Sequence, residues 1–298
     1  MKKLIKYLHI IWSVLLGNLL KLKVHFQVWV LRRIPLSDEV AAGVIVSLTS
    51  YGQRVKNNTV CYTLHSFLTQ KVRAERIVLW LDEAEFSDAT LPKMLRRLMT
   101  YGVEVRYCPN WYSYKKLLPT LRQFPEYDVI TADDDIYYSS NHLSEMIATH
   151  ARHPGILITQ GGRMPAVTPD GHFAPYRQWD LREKVSAGED YNHLLFLPMG
   201  GYGVYYPAGI FDDEIQNLNV IQALCPRADD LWFYVMGLRL RLWKENVRDS
   251  RTHYYQLDLI RQLLSHDRLY DVNVGEDQND VQLKKLLAHY NVQVAELL

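Results

Sequence analysis

Asp133, Asp134 and Asp135 stand together at the end of a short apolar run, Val129-Ile130-Thr131-Ala132, in a chain of 298 residues. Three adjacent carboxylates repel one another, so the cluster is favourable chiefly where a cation joins it. Carboxylate oxygens suit a hard divalent ion such as Mg2+ or Mn2+. The plainer reading is an acidic turn that caps a following helix, since Asp is favoured at helix starts. A second acidic pair, Asp229-Asp230, precedes Leu231-Trp232 and falls at another expected helix start, where the dipole and free amides favour a carboxylate. N-capping alone accounts for that pair taken singly. Before it lies Pro198-Met199-Gly200-Gly201-Tyr202-Gly203, whose glycines permit close backbone approach to a ligand, or simply a turn into a strand. Gly161-Gly162-Arg163 reads as a further tight turn. The histidines, His253 and His266 among them, show no metal-ligand spacing.

The elements that must position these groups follow from hydrophobic periodicity. Strands are expected at 44–48, 77–81, 103–107 and 129–132, the last short, apolar and rich in β-branched residues. Helices are expected at 59–68, at 91–101 with Gly102 as its stop, and at 115–123 with an interruption at Pro119. Another helix begins after Ser139, Ser140 or Asn141, with Leu143, Met146, Ile147 and His150 on one face. Strands alternating with helices imply an α/β fold with a mainly parallel sheet, whose strand-end loops gather at one edge. Those loops carry Thr49-Ser50-Tyr51-Gly52-Gln53-Arg54, Asp82-Glu83, Lys115-Lys116 and the acidic triplet. An aromatic ring, cations and carboxylates are the mixture that a nucleoside diphosphate requires. Neither a GxGxxG nor a GxxxxGK[ST] motif is present, so a dinucleotide fold or a P-loop has no support.

The net charge of +1 gives no global attraction for nucleic acid. Three scattered cysteines, Cys61, Cys108 and Cys225, exclude a cysteine-rich zinc site and indicate a reducing, cytoplasmic setting. Residues 1–36 form a basic, aromatic, apolar segment. Its central apolar stretch is too short to span a bilayer, and no small-x-small cleavage site follows it. The expectation is a helix lying on an anionic membrane surface, with Trp12 and Trp29 near the headgroups. Packing on its own domain or on a partner subunit is the alternative.

Six segments then occur in order: Ser47-Leu48-Thr49-Ser50-Tyr51-Gly52-x-Arg54, Leu79-Trp80-Leu81, Ser113-Tyr114-Lys115-Lys116-Leu117, Thr131-Ala132-Asp133-Asp134-Asp135, Gly200-Gly201-x-Gly203-Val204-x-Tyr206-Pro207 and Cys225-Pro226-x-Ala228-Asp229-Asp230-x-Trp232. Together they resemble a bacterial GT-A-type glycosyltransferase of the kind found in surface-polysaccharide and lipopolysaccharide assembly. The resemblance implies a GT-A-like (Rossmann-like) catalytic domain over 41–250, with a nucleotide-binding half (41–138) and an acceptor half (139–250). The basic segment 1–36 would precede it and a C-terminal helical extension, 251–298, would follow. It implies Mn2+ or Mg2+ on Asp135 and Asp133, with Asp133 and Asp134 also toward the nucleotide sugar. Thr49, Tyr51 and Asp82 fall where such enzymes hold the nucleoside, and Arg54, Lys115 and Lys116 are assigned to the diphosphate or base. Gly200, Gly201 and Tyr202 would form a loop beside the acceptor or donor sugar. Asp229-Asp230 resembles the acidic pair that supplies the base of inverting members, usually Glu-Asp; Asp230 is favoured. His253 is the nearest candidate for a further metal ligand.

The reaction implied is sugar transfer from a nucleotide-diphosphate donor to a glycan or lipid-linked acceptor, on the inner face of the cytoplasmic membrane. A sugar-phosphate nucleotidyltransferase would want a Gly-rich loop with Arg directly after the first strand, and Thr49-Ser50-Tyr51-Gly52 differs from that. A DxDx[TV] phosphatase is disfavoured by Tyr137. A non-catalytic membrane-associated scaffold would bind partners without metal or nucleotide.

Overall fold

The computed structural model describes residues 2–258 and 277–298, of which 2–11 as backbone. His266 lies outside the described residues. Along the chain come α1 (Lys2–His25), continued by a π-helical turn at Phe26–Val30, then β1 (Val40–Thr49), α2 (Gly52–Lys56), α3 (Thr59–Leu68) and β2 (Arg73–Asp82). Next are α4 (Lys93–Met99), β3 (Val103–Cys108), α5 (Leu118–Gln123), β4 (Asp128–Ala132), β5 (Ile136–Tyr138) and α6 (His142–Arg152). Short strands β6 (Leu157–Thr159), β7 (Gly162–Met164), β8 (Asp180–Arg182), β9 (Leu197–Pro198) and β10 (Val204–Tyr206) follow. The remainder is α7 (Leu218–Leu224), α8 (Asp229–Arg239), β11 (Lys244–Asn246), β12 (Tyr254–Gln256) and α9 (Gln278–His289). The fold is mixed α/β, with helices flanking a central sheet that is mostly parallel. The described residues fall into two compact units: 2–111, 133–144 and 251–258 in the first, 112–132, 145–250 and 277–298 in the second.

In the first unit β1, β2 and β3 pair in parallel, with Val46 beside Ile77 and Leu79 beside Val105. Val44 to Leu48 and Ile77 to Leu81 are buried throughout, as strands covered on both faces must be. Each strand extends beyond its expected run, to 40–49 and 73–82, because flanking residues continue the ladder, Val40 beside Arg73 and Ala41 beside Ala74. Helix α3 spans its expected residues and all ten are buried. Helix α4 is shorter than the expected 91–101: Pro92 precedes its first turn, and it ends at Met99 with Gly102 beyond its cap. Strand β5, not expected, pairs antiparallel with β12, Tyr138 opposite Tyr254.

Helix α1 packs by one face against the same unit. Val24 and Val28 are fully buried, and the Gly17 backbone comes so close to the Gln256 carbonyl that a Cβ there would stand 2.9 Å from its oxygen. His25 Nε2 hydrogen-bonds the Tyr62 hydroxyl at 2.8 Å, and Lys21 Nζ pairs with Asp258 at 3.2 Å. Packing on its own domain, the alternative weighed for this segment, therefore holds for that face. Among the described residues no helix is long and apolar enough to cross a membrane.

In the second unit the strand order is β11-β6-β10-β4, with β10 antiparallel to both neighbours and β11 parallel to β6. Strands β8, β7 and β9 form a separate antiparallel sheet. Gly162 and Arg163 belong to β7, so that segment is a strand and not the expected tight turn. The helix expected at 115–123 is two pieces, a 3-10 turn at Tyr112–Lys116 and then α5. Pro119 sits in the first turn of α5, where its missing N–H costs nothing, and so starts the helix and does not interrupt it. Helix α6 buries His142, Leu143, Met146 and Thr149, whereas Ile147 and His150 are half-buried, which rotates the face from that expected. Helix α8 is the centre of this unit, with Leu231 to Leu238 buried without a break.

Candidate active-site residues

The acidic triplet of the first unit is held by the loop after β1. Asp134 and Asp135 are 5% and 8% exposed, and Asp133 is half-buried. Ser50 donates its hydroxyl to Asp134 Oδ2 at 2.5 Å. The Arg54 guanidinium, on α2, pairs with Asp134 through Nη1 and with Asp135 through Nη2, the latter at 2.8 Å. It also lies 5.3 Å from the centre of the exposed Tyr51 ring. Burial pushes the Asp134 carboxyl pKa up, and Arg54 and the Ser50 hydroxyl pull it back. Burial equally opposes the Arg54 charge, but the two carboxylates outweigh it and raise the guanidinium pKa. Backbone completes the clasp: the Asp133 N–H donates to the Tyr138 hydroxyl at 3.1 Å, and Leu257 N–H to the Asp135 carbonyl at 2.9 Å.

Asp134 and Asp135 thus meet a cation that the protein itself supplies. Among the described residues no group of three or more His, Cys, Asp or Glu side chains converges as a metal site. His253 is exposed, and its backbone N–H donates to Ser139 Oγ at 3.0 Å. An all-oxygen pair such as Asp133 and Asp135 suits Mg2+ or Mn2+ in the manner where one or two carboxylates serve and substrate phosphates complete the shell.

Two other assigned residues of this unit are engaged with backbone. The Thr49 hydroxyl donates to the Trp80 carbonyl at 3.0 Å, and Asp82 Oδ1 accepts from Ala84 N–H at 2.9 Å. Glu85, which the sequence did not single out, receives the Gly52 N–H at 3.1 Å and pairs with Lys56 at 3.0 Å. Ser50 was likewise not singled out; its only signal was its place between Thr49 and Tyr51.

The second unit carries the other acidic pair. Asp229 and Asp230 open α8, where the first-turn amides and dipole favour negative charge. Their environments differ sharply. Asp229 is buried, pairs with Lys116 Nζ at 2.9 Å and accepts the Ser113 hydroxyl at 2.8 Å. Asp230 keeps 35% of its side chain exposed, lies 3.9 Å from Lys116 and accepts the Gly200 N–H at 3.2 Å on each oxygen. Lys115 and Lys116 are both buried, at 2% and 5% exposure, so neither belongs to a solvated helix face. The nearby Tyr206 phenol is pushed up by burial and then by Asp230.

Gly200 reaches Asp230 because the glycine loop is tightly turned. Gly200–Tyr202 is a 3-10 turn, and Gly203 follows at φ +79°, a region that L side chains rarely adopt. The Tyr202 ring covers Gly161 so closely that a Cβ there would fall 2.5 Å from it, and the Tyr202 hydroxyl donates to Glu183 at 2.9 Å.

No protein-family profile matches the chain, and no curated protein matches it. Solved structures with a similar trace include residues 1–349 of TarS from S. aureus in complex with UDP, at 17% identity and a TM-score of 0.45. That match covers 83% of this chain and 72% of TarS. A cytidylyltransferase from Leptospira borgpetersenii is similar at 14% identity and a TM-score of 0.43, covering 82% and 97%. A CMP:2-keto-3-deoxy-manno-octonic acid synthetase complexed with CTP is similar at 9% identity and 0.42, covering 76% and 97%. Likenesses of this degree assign no activity or ligand to this chain.

Proposed function

We propose that the protein is a glycosyltransferase that moves a sugar from a nucleotide-diphosphate donor to a glycan or lipid-linked acceptor, in cell-surface polysaccharide synthesis. The observation that carries the reading is the buried Asp134–Asp135 pair, held by Arg54 and Ser50 beside the half-buried Asp133. Holding charged groups out of water costs several kcal/mol each unless partners offset it. A chain that maintains this arrangement has a rigid, charge-balanced platform, of use where a diphosphate and its counter-ion must be oriented. Mn2+ or Mg2+, held by Asp133 and Asp135 with the donor's phosphate oxygens, would supply stabilisation of the charge on the departing nucleoside diphosphate. Tyr51 offers an exposed ring for a base, and Arg54 and Lys56 offer cationic charge.

In this reading Asp230 is the base that takes the acceptor's proton, and the reaction inverts the anomeric centre. A base must reach its proton, and Asp230 is the more exposed of the pair, while Asp229 is committed to Lys116 and Ser113. Gly200 orients Asp230 through its backbone N–H.

The test is thermal stability of the full chain with UDP, GDP, CDP and CMP, each with and without Mn2+, for wild type and Asp135→Ala. A ligand that binds only the native state raises apparent stability with its affinity. One diphosphate giving a shift that needs both Mn2+ and Asp135 is the expected result. No shift with any of the four sinks the proposal.

A further inference from the structure

We infer that the first unit docks on an anionic bilayer, the outer face of α1 lying among the lipids and a lysine-flanked cleft beside it taking a lipid phosphate. The inference rests on the helix and the cleft, and not on the reading of the acidic residues.

Helix α1 has two faces of opposite character. The inner face carries Gly17, Lys21, Val24 and Val28, engaged with their own unit as described. The outer face carries Trp12, Leu15, Leu19, Leu22 and Phe26, spaced by three and four residues, and Trp29 and Val30 follow in the π turn. All seven are large apolar side chains that are 44–66% exposed. A contiguous exposed stripe of this kind marks a surface that something covers. At 1.5 Å per residue the stripe runs roughly 25 Å along the helix. No helix among the described residues can span a membrane, so an apolar face of this length calls for a partner that it can lie against.

Charge selects the partner. Residues 1–37 include seven Lys and Arg and no Asp or Glu. Two copies of so basic a segment repel each other, whereas an anionic lipid surface attracts both, at about 1 kcal/mol for each basic residue near it. Further cations lie nearby, with Asp38 and Glu39 exposed after the segment: Lys93 and Arg96 on α4 are exposed, and the Arg97 guanidinium reaches the Arg32 carbonyl at 3.1 Å. Basic charge with Trp, Phe and Leu on one helix face is the pattern of helices that lie in the bilayer interface.

A cleft of about 630 Å3 opens beside this helix, lined among others by Lys23, Leu36, Ser37, Lys71, Ser140 and Tyr255. Among the described residues no carboxylate lines it. Neither lysine pairs with a carboxylate among the described residues, and both are exposed. The walls are fixed by backbone: Lys71 N–H donates to the Ser140 carbonyl at 2.7 Å, and the Ser37 hydroxyl to the Lys71 carbonyl at 2.5 Å. Two ammonium groups and several hydroxyl-bearing side chains around a cleft suit a phosphate. Lys23 ties the cleft to the stripe, since Leu19 and Lys23, four residues apart, share one side of the helix. Leu36, itself 37% exposed, adds apolar surface at the cleft. A phosphate beside an apolar strip is the chemistry of a lipid headgroup and its chains.

Vesicle flotation of the full chain tests this, with phosphatidylcholine alone and with a 3:1 mixture of phosphatidylcholine and phosphatidylglycerol. Wild type is expected to float with the mixed vesicles and at least tenfold less with the neutral ones. Leu19→Asp/Leu22→Asp, at positions more than half exposed, should abolish flotation without changing the melting temperature. Lys23→Gln/Lys71→Gln should weaken binding to the mixed vesicles about 25-fold, by the per-residue energy above. Lys284→Gln/Lys285→Gln, two exposed lysines of the other unit, should leave it unchanged. Equal flotation by wild type and the leucine variant overturns the inference, as does equal loss from both lysine pairs. Sedimentation supplies a further outcome: if the leucine variant turns a dimer into a monomer and wild type ignores vesicles, the stripe is a seam between copies and the inference is wrong. Nucleotide-dependent stabilisation, measured on the same variants, reports the acidic residues separately, so failure of one reading leaves the other visible.

Discussion

Asp229 and Asp230 are adjacent in sequence but differently placed, the first buried against Lys116 and the second 35% exposed. Asp229→Asn leaves the buried Lys116 charge without its main partner, so it should destabilise the fold by roughly 3 kcal/mol in urea denaturation. Asp230→Asn keeps an acceptor for the Gly200 N–H and should leave stability within about 1 kcal/mol, while lowering turnover a hundred- to ten-thousand-fold or so. If Asp229→Asn loses turnover at unchanged stability while Asp230→Asn stays active, the roles are reversed. Arg54 carries a second prediction at this scale. It is about a quarter exposed, so Arg54→Ala should cost about 2 kcal/mol, toward the low end for a broken buried pair. Arg54→Lys should recover little, because a point charge cannot span two carboxylates as a planar fork does. A double-mutant cycle of Arg54→Ala with Asp134→Asn should give a coupling above roughly 1 kcal/mol; a coupling near zero would show that the clasp contributes nothing. The carboxylates themselves were legible in the sequence because runs of like charge are rare and demand an explanation. Their partners were not: a serine such as Ser50 or Ser113 is ordinary anywhere, and only the folded chain brings it to an acid 84 or 116 residues away.

Elements became legible in proportion to how thoroughly they are buried. The expected segments for β1, β2, β4 and α3 coincide with buried residues, since a strand covered on both faces has little choice of residue type, whereas β3, with Glu104 and Arg106, is half-buried over most of its length. Strands β5, β7 and β9 have two or three residues each and no period to detect; their pairing partners decide them. Gly161-Gly162 shows the failure most clearly. The glycines looked like a turn, but they serve close packing: a Cβ on Gly162 would fall 2.1 Å from the Leu197 carbonyl oxygen of the adjacent strand. Gly161 has a consequence for the candidate site, because Tyr202 rests on it and Tyr202 ends the turn whose Gly200 holds Asp230. Gly161→Ala should therefore cost about 1–3 kcal/mol by overpacking and also reduce turnover. In a Tyr202→Ala background the same substitution should cost clearly less in urea denaturation. Equal costs in both backgrounds would mean that the ring is not what the glycine accommodates.

At the scale of the whole molecule, pH reaches stability through buried groups of opposing sign. Lys244 is fully buried; its ammonium donates to the Leu194 and Leu242 carbonyls at 2.6 and 2.9 Å and lies 5.6 Å from the centre of the Tyr234 ring. Burial lowers its pKa to about 7. The unfolded chain holds that proton up to about pH 10.4, so between the two values unfolding takes up a proton. Stability from this group is therefore greatest above the unfolded value and is lost as pH falls toward 7, at up to about 1.4 kcal/mol per pH unit. The buried thiols work the other way. Burial raises the pKa of Cys61 and pushes Cys225 up to about 12, so above about pH 8.5 the unfolded state loses thiol protons and folded stability falls. The two effects oppose each other, and a wild-type pH profile alone would hide Lys244. Lys244→Met isolates it, since loss of the two carbonyl contacts shifts stability by an amount that does not vary with pH. Between pH 7 and 8.5, urea denaturation of wild type should gain stability relative to Lys244→Met by about 1–2 kcal/mol. Parallel profiles would mean that the Lys244 ammonium stays charged across this range, with the two carbonyls solvating it as well as water does.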